Sequence, residues 1–280
     1  MYELDKTIGF LGIGNMGGAI LRRFVLSLPP SERKKVYIYG KTRTRRESLA
    51  NELGVSLCTS SRELAEKSQI VFFGVKPDIF MDILKEMEEV SFKGKILVSM
   101  AAGISINAIE DRIKSFKYAS FPSSIIRIMP NTPVLLGRGA TALCSSGNEE
   151  DEDCRRIEDI LSCTGEVVYV EENLFHSVIG ASGSSPAYTY MYMDALIEAA
   201  CESGMEKSKA MKLVAQTVMG SAAMILASED EPATLVERVC SKGGTTIEAV
   251  KLLEQKGFKE LVKKGFRAAM EKSIKMTEGV

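Results

Sequence analysis

Short apolar runs alternate with amphipathic stretches through the first half of the chain. Five of these runs are brief, rich in branched or aromatic residues and bounded by Gly, Lys or Pro, which predicts buried parallel strands at residues 8–11, 36–39, 70–75, 96–99 and 167–170. The stretches between them have helical spacing, near residues 16–27, 45–53, 61–67, 78–89 and 105–113. Repeated strand–helix units predict an α/β fold with a doubly wound parallel sheet and right-handed crossovers.

The strand pattern ends near residue 172, and the remainder has helical spacing. Breaks at Gly or at polar runs separate predicted helices over residues 172–203, 207–227, 232–239, 245–255 and 259–276. These helices are rich in Ala, Met and Ser, which suits close packing against another subunit. We therefore predict two domains, an α/β domain over residues 1–171 and an all-helical dimerisation domain over residues 172–280.

Composition and charge exclude several classes of protein and of binding partner. The 280 residues are 45% hydrophobic and 26% charged, as in ordinary globular proteins, which excludes disordered and collagen-like chains. The 36 Lys and Arg nearly balance the 37 Asp and Glu, so a nucleic-acid partner is not expected. We see no run of about 18 consecutive apolar residues and no basic-then-apolar N-terminus, which predicts no membrane association and a cytoplasmic location.

The residues that usually ligate metals are dispersed. The six cysteines have no CxxC spacing, and His176 is the only histidine, so no metal site is predicted. The thiols are expected to be reduced and partly buried. We assign no catalytic role to His176.

A glycine-rich turn directly follows the first predicted strand. Gly12 allows the tight turn, Gly14 lets a pyrophosphate approach the backbone, and Gly17 lets helix and strand pack closely. Asn15 and Met16 begin the helix, whose N-terminus supplies N–H donors and a positive dipole. This position predicts a Rossmann-type dinucleotide site; the alternative is a purely structural glycine turn.

The end of the second strand indicates which dinucleotide binds. An NAD site has an Asp or Glu here, whereas this strand runs into Lys41, Thr42 and Arg43. We expect a preference for the 2'-phosphate of NADP(H), with NAD(H) as a second cofactor. The alternative is that these cations form only the solvated start of a helix.

Two further strand ends should border the cofactor, because a Rossmann sheet binds its ligand beyond the carboxyl ends of its strands. The residues that follow these strands and are expected to contact it are Val75, Lys76, Pro77, Ala101 and Ala102. Lys76 could equally be an exposed lysine at a strand end.

Five segments together carry a family resemblance. They are IGFLGIGNMG (8–17), VKP (75–77), RIMPNTP (127–133), GASGSSPAY (180–188) and CSKGGTTIEA (240–249). In order and spacing they resemble pyrroline-5-carboxylate reductases over nearly the whole chain. The resemblance implies reduction of 1-pyrroline-5-carboxylate to L-proline with NADPH or NADH. It also implies a homodimer formed through the helical domain, with assembly of dimers up to a decamer.

The loop before residue 245 is the candidate substrate site. Gly243 and Gly244 leave backbone N–H groups unobstructed where a helix begins, which suits the substrate carboxylate. Thr246 offers a hydroxyl to the imine nitrogen and matches the family's substrate-binding threonine, and Ser241 and Thr245 complete the expected substrate contacts. The alternative is a helix cap, since Thr is a preferred N-cap residue and Gly ends helices.

The same loop departs from the family pattern. Lys242 stands where the family usually has proline, which frees the loop and adds an ammonium group that we expect to point into solvent.

The resemblance also assigns less specific contacts. Glu229 matches a glutamate near the substrate, although a run of three acids before a helix is more often a solvated linker. Pro186 lies in a Ser- and Gly-containing segment expected at the nicotinamide end of the cofactor, or else in a close helix contact. Arg127 matches a family arginine that could simply brace its loop.

Other readings remain open at this point. A β-hydroxyacid dehydrogenase would need a lysine on the first long helix, and none occurs between Leu174 and Cys201. A reductase of another cyclic imino acid fits the same motifs. A non-catalytic NADP-binding sensor would be expected to have lost the glycine–threonine loop, which is intact.

Overall fold

The computed structural model describes residues 4–147 and 149–277, and one eight-stranded sheet organises the first part of this range. Its strands are β1 Ile8–Leu11, β2 Val36–Tyr39, β3 Ser56–Leu57, β4 Ile70–Phe73, β5 Ile96–Ser99, β6 Ser124–Pro130, β7 Gly139–Ser145 and β8 Gly165–Tyr169. The order across the sheet is β3-β2-β1-β4-β5-β6-β7-β8. The first six strands in this order, from β3 across to β6, are all parallel to their neighbours. The predicted doubly wound α/β fold is confirmed.

Helices follow most strands. They are α1 Asn15–Ser27, α2 Arg43–Leu53, α3 Ser61–Lys67, α4 Pro77–Lys85, α5 Ile106–Lys114, α6 Glu152–Ser162 and α7 Phe175–Val178. Short 3₁₀ helices cover Glu32–Lys35, Thr132–Leu136 and Glu172–Leu174, and a π-helical turn covers Ile179–Gly183. Serine N-caps begin two of the helices: Ser60 accepts a hydrogen bond from the N–H of Glu63, and Ser105 accepts one from that of Ala108.

The strand residues form two apolar cores because successive side chains point to opposite faces of a sheet. Phe10 and Phe72, on adjacent strands, stack at 4.7 Å between ring centroids on one face. Phe73 meets Phe80 of α4 on the other face. Burial on both faces explains why β1, β4 and β5 are continuous apolar runs.

The sheet is not wholly parallel, which corrects the prediction in one respect. β7 pairs antiparallel with β6, since residues 131–138 are too short a connection for a parallel crossover, which takes about a dozen residues or more. The sequence interpretation also missed β3, β6, β7 and α6. β6 contains Arg127 and ends at Pro130, and β7 begins with small residues, so neither reads as an apolar run.

The chain forms two compact units. The first contains the described residues up to Gly183 and resumes at Ala269, and the second contains Ser184–Ala268. Within the helical span predicted over residues 172–203, the π-helical turn ends before α8 (Ser185–Glu202), so a new helix starts beside Pro186, where the proline favours a helix start or kink over an unbroken helix. The division at residue 171 stays a prediction.

The second unit is entirely helical. After α8 come α9 Lys207–Ala227, α10 Pro232–Val239 and α11 Thr245–Gln255, and the unit ends within α12 Phe258–Thr277. Of its residues only Ala210 is fully buried, whereas Met191 is 73% and Leu226 86% exposed. An apolar surface this large marks an interaction face. By length and composition alone α9 could also cross a membrane, a test that core helices of soluble proteins pass too.

A part-buried ion pair between Arg127 and Glu172 fixes the segment that follows β8. The Oε1 atom of Glu172 accepts hydrogen bonds from Nη1 of Arg127 at 2.6 Å and from the N–H of Ile106, the first residue of α5, at 2.8 Å. The Arg127 guanidinium lies 4.7 Å from the ring centre of Phe175. Arg127 therefore braces this segment against β6.

Replacement of Glu172 tests this brace. Glu172→Ala leaves a buried guanidinium unpaired and the start of α5 without its acceptor, so we expect the free energy of unfolding to fall by about 3 kcal/mol. Glu172→Gln keeps an acceptor for the Ile106 N–H and should cost less. Chemical denaturation of both variants checks the order, and equal stability of Glu172→Ala and the wild type would contradict it.

Candidate active site

The glycine-rich turn between β1 and α1 is built by direct contacts between backbone segments. Gly12 has φ +89°, and a methyl group on it would lie 2.6 Å from the carbonyl carbon of Gly74. A methyl group on Gly17 would lie 2.3 Å from the carbonyl oxygen of Gly12. Both positions therefore require glycine for the reasons that the sequence predicts. Gly74, at the end of β4, completes this contact and was not predicted.

Gly14 differs because the protein itself does not need a glycine there. A methyl group at this position would meet no atom within 4 Å. Gly14 is the N-cap residue of α1, and no side chain caps the helix. The open space and the first-turn N–H groups of Asn15 and Met16 fit the pyrophosphate of a dinucleotide.

The other predicted strand ends lie at the same edge of the sheet, because β1, β4 and β5 are parallel. Val75 packs beside Gly12. Lys76 is exposed as the N-cap residue of α4, with Pro77 in the first turn. Ala101 is buried, so only its backbone can face a ligand, and Ala102 is half-buried.

A cavity of about 320 Å³ lies beside the turn, between α1 and α2. Gly14, Asn15 and Gly18 line it from the α1 side, and Arg45 and Ser48 line it from α2. Its wall is completed by Ile13, Ala19, Arg22, Leu49 and Leu135. The predicted residues Lys41, Thr42 and Arg43 precede or begin α2 and do not line this cavity.

The arginines in and near this cavity differ in whether their guanidinium groups already form ion pairs or hydrogen bonds. Glu47 pairs with the Nε atom of Arg43 at 2.7 Å and raises the pKa of that guanidinium, whose side chain is 79% exposed. Glu52 pairs with Arg22. Arg46 donates to the Gly40 carbonyl and lies over the Tyr39 ring. The Arg45 side chain has no ion pair or hydrogen bond within residues 4–147 and 149–277, so its guanidinium is the cavity's unneutralised cation.

Ser48 is thus a site candidate that the sequence interpretation missed. Arg45 belongs to the same basic segment as Lys41 and Arg43, from which the NADP preference is predicted, but it was not among the predicted contacts. The sequence feature that could have identified Arg45 is its spacing of four residues from Leu49. In a helix this spacing puts both residues on the face of α2 that meets α1.

The glycine–threonine loop lies in the second unit and has a defined turn. The Gly244 N–H donates to the Ser241 carbonyl at 3.0 Å, and Gly243 has φ +74°. Gly244 is the N-cap residue of α11, so no threonine side chain caps this helix. The first-turn N–H groups are therefore not occupied by a capping side chain. Thr246 is half-buried in this turn.

The remaining loop residues are all exposed: Ser241, Lys242, Gly243 and Thr245. The solvent-facing Lys242 agrees with the expectation from sequence.

The remaining sequence candidates have less defined surroundings. Glu229 is exposed, while its neighbour Asp230 pairs with Arg238 at 2.8 Å. Pro186 lies in the first turn of α8, in the second unit. The ring of His176 shares a 2.8 Å hydrogen bond with the buried hydroxyl of Ser273, an interaction between α7 and the end of α12. The contacts of Glu229 and Pro186 with ligands stay predictions.

Two buried cysteines are poor nucleophiles because their thiols resist ionisation. Burial raises the pKa of the Cys58 thiol to about 11 and that of Cys144 to about 12. In the described ranges, no group of three or more His, Cys, Asp or Glu side chains is arranged to hold a metal ion.

Two family models match the chain, one in each half. A model described as "NADP oxidoreductase coenzyme F420-dependent" matches residues 7–103, which contain the glycine-rich turn. A model described as "Pyrroline-5-carboxylate reductase dimerisation" matches residues 172–276, which contain α9 and the glycine–threonine loop. The exposed apolar helices therefore belong to an oligomerisation region.

Similarity to individual proteins extends over the whole chain. It is 37% identical to pyrroline-5-carboxylate reductase of Escherichia coli over 98% of this chain and 100% of the relative, and 33% identical to that of Aquifex aeolicus over 98% of each. A solved pyrroline carboxylate reductase of Plasmodium falciparum with NADP bound superposes with a TM-score of 0.84 at 28% identity, covering 99% of this chain and 100% of the other.

Fold, cofactor turn and comparisons together define an NADP(H)-dependent oxidoreductase with a Rossmann-type domain. The chain belongs to the pyrroline-5-carboxylate reductase family.

Two glycine variants separate folding from cofactor binding. Gly14→Ala should fold with an unchanged melting temperature and bind NADPH about tenfold or more weakly, because its methyl group fills only the space for the pyrophosphate. Gly17→Ala should instead lose about 1–3 kcal/mol of stability, because its methyl group meets backbone. Thermal unfolding and NADPH titration check both results; wild-type affinity in Gly14→Ala would contradict this placement of the pyrophosphate.

A pair of arginine variants tests the 2'-phosphate site. We expect Arg45→Ala to weaken NADPH binding about 10- to 100-fold and leave NADH binding unchanged, because a charge-assisted contact contributes about 1.5–3 kcal/mol. Arg43→Ala is the matched control, since its guanidinium is already paired with Glu47. Titration with both cofactors decides. A larger effect from Arg43→Ala would favour the assignment made from sequence.

Proposed function

We propose that this protein reduces the cyclic imine of 1-pyrroline-5-carboxylate to L-proline with NADPH, the last step of proline biosynthesis. The observation that carries the proposal is the intact glycine–threonine loop at the start of α11, in a chain that matches pyrroline-5-carboxylate reductases from end to end. NADH serves as a second, weaker cofactor.

Toward the cofactor, the role of the protein is to bind NADPH and to orient it. The first turn of α1 receives the pyrophosphate at Gly14, and Arg45, with Lys41 and Thr42 at the end of β2, faces the 2'-phosphate. Reduced nicotinamide supplies the hydride when it is bound. Val75 and the backbone of Ala101 border the cofactor along the edge of the sheet.

On the substrate side, two tasks fall to one loop. The N–H groups at the start of α11, after Gly243 and Gly244, hold the substrate carboxylate, and the helix dipole favours its negative charge. The Thr246 hydroxyl donates a hydrogen bond to the imine nitrogen, whose basicity rises as the imine carbon accepts hydride. Such a donor stabilises the transition state more than the ground state. Ser241, Thr245 and Glu229 complete the substrate contacts.

Assembly follows from the helical unit. The exposed apolar faces of α8 and α9 form a homodimer, and the resemblance extends this to a decamer. A cytoplasmic enzyme with no nucleic-acid or membrane partner agrees with the near-zero net charge.

Turnover with and without the Thr246 hydroxyl tests the proposal. NADPH oxidation with 1-pyrroline-5-carboxylate should be rapid in the wild type and slower by about 100-fold in Thr246→Ala, because removal of one preorganised donor has this order of effect. Thr246→Ser keeps the hydroxyl and should retain most of the activity. NADPH affinity should be equal in all three proteins, as measured by cofactor fluorescence.

Other outcomes of this experiment would contradict either the role of Thr246 or the choice of substrate. Full activity in Thr246→Ala would retain the reaction and reject the role of Thr246. A wild type that binds NADPH without turnover would reject the substrate, and larger cyclic imino acids would be tested before a non-catalytic sensor is considered.

A further inference from the structure

Asn131 uses both ends of a buried amide to join two distant segments. It follows β6 directly and is 8% exposed. Its Oδ1 atom accepts a hydrogen bond from the Ala140 N–H at 2.9 Å, and its Nδ2 atom donates to the Ser182 carbonyl oxygen at 3.1 Å. Because one partner is a donor and the other an acceptor, the amide has a single orientation that satisfies both.

The segment that Asn131 holds has an unusual backbone. Ile179–Gly183 forms a π-helical turn, and such turns disturb the regular hydrogen bonding of a helix. Side chains supply hydrogen bonds here: Asn131 binds the Ser182 carbonyl, and the Ser182 hydroxyl donates to the Val178 carbonyl at 3.2 Å. Together with the ion pair between Arg127 and Glu172, Asn131 secures residues 172–183 at both ends against β6.

Sheet topology places this turn relative to the cofactor. β1, β4, β5 and β6 are parallel, so Asn131 lies at the same edge as the glycine-rich turn after β1. The wall of the cavity that carries Arg45 belongs to α2, which follows β2 on one side of β1, whereas β5 and β6 lie on the other side of β1. Leu135, after β6, also lines the cavity. A dinucleotide with its pyrophosphate at α1 and its 2'-phosphate near α2 therefore extends its other half toward β5 and β6.

We propose that Asn131 is a positioning residue for the reduced nicotinamide: through the Ser182 carbonyl it holds the π-helical turn as a wall of the nicotinamide half of the cleft. The proposal rests on NADPH as the cofactor of the proposed function. Asn131 acts through the turn and has no direct part in hydride transfer.

Asn131→Asp is the variant that isolates the contact. A carboxylate at this position still accepts from the Ala140 N–H, but it cannot donate to the Ser182 carbonyl. Ser182→Ala is the comparison variant, because it removes only the hydroxyl bond to the Val178 carbonyl and keeps the backbone carbonyl that Asn131 binds. If Asn131→Asp fails to fold, Asn131→Ser takes its place, since it is smaller, uncharged and too short to reach Ser182.

Binding of whole and half cofactors gives a readout independent of turnover. We expect Asn131→Asp to bind NADPH about tenfold more weakly, with altered fluorescence of the reduced nicotinamide, while its affinity for adenosine 2',5'-bisphosphate stays within about twofold. With 1-pyrroline-5-carboxylate, kcat should fall about tenfold or more, and the isotope effect with deuterated NADPH should rise as hydride transfer becomes slower. Ser182→Ala, which keeps the bond from Asn131, should have the smaller effect in each of these measurements.

Two results would overturn the proposal. One is a folded Asn131→Asp with wild-type NADPH binding, nicotinamide fluorescence and isotope effect, even if its melting temperature is lower, because the role is then only structural. The other is an equal loss of affinity for NADPH and the bisphosphate. Absence of turnover in the wild type would instead count against the proposed function, and the two affinities would still decide the role of Asn131.

Discussion

The close approach of three backbone segments at Gly12, Gly17 and Gly74 is the constraint on which the cofactor site depends. This contact brings the start of α1 down onto the ends of β1 and β4, where no side chain could be accommodated. The first-turn N–H groups of α1 therefore lie at the edge of the sheet. Gly14 takes no part in this packing, and the open space beside its Cα atom can hold a ligand.

A second constraint comes from two buried polar side chains, one within β6 and one directly after it. Arg127 and Asn131 are both buried, and each forms a hydrogen bond with the segment over residues 172–183. Buried polar groups are costly unless paired, so these contacts specify one arrangement of that segment. β6 and the residue that follows it therefore hold the turn that precedes the helical unit.

The helical unit buries fewer of its own apolar side chains than the first unit does. Its helices leave large apolar side chains in contact with water, and Ala210 alone is fully buried among residues 184–268. Burial of such side chains contributes about 1.5–3 kcal/mol each, so oligomerisation that covers them stabilises this unit. The match of residues 172–276 to a dimerisation domain agrees with this reasoning.

Local pattern determined much of this protein from the sequence alone. Strands β1, β2 and β5 and helices α9, α10 and α11 begin and end where the spacing predicts, because each is a regular run with Gly, Pro or polar residues at its ends. The roles of Gly12 and Gly17 also followed from the motif. β6 and β7 were missed because Arg127, Pro130 and small residues hide the strand pattern, and only pairing with neighbouring strands makes them strands.

The tertiary structure alone decided which polar side chains are partnered. It pairs Arg43 with Glu47 and leaves Arg45 at the cavity, and it joins Asn131 to Ser182 across 51 residues of chain. Periodicity records which face of an element is apolar, whereas these contacts depend on which elements the folded chain brings together.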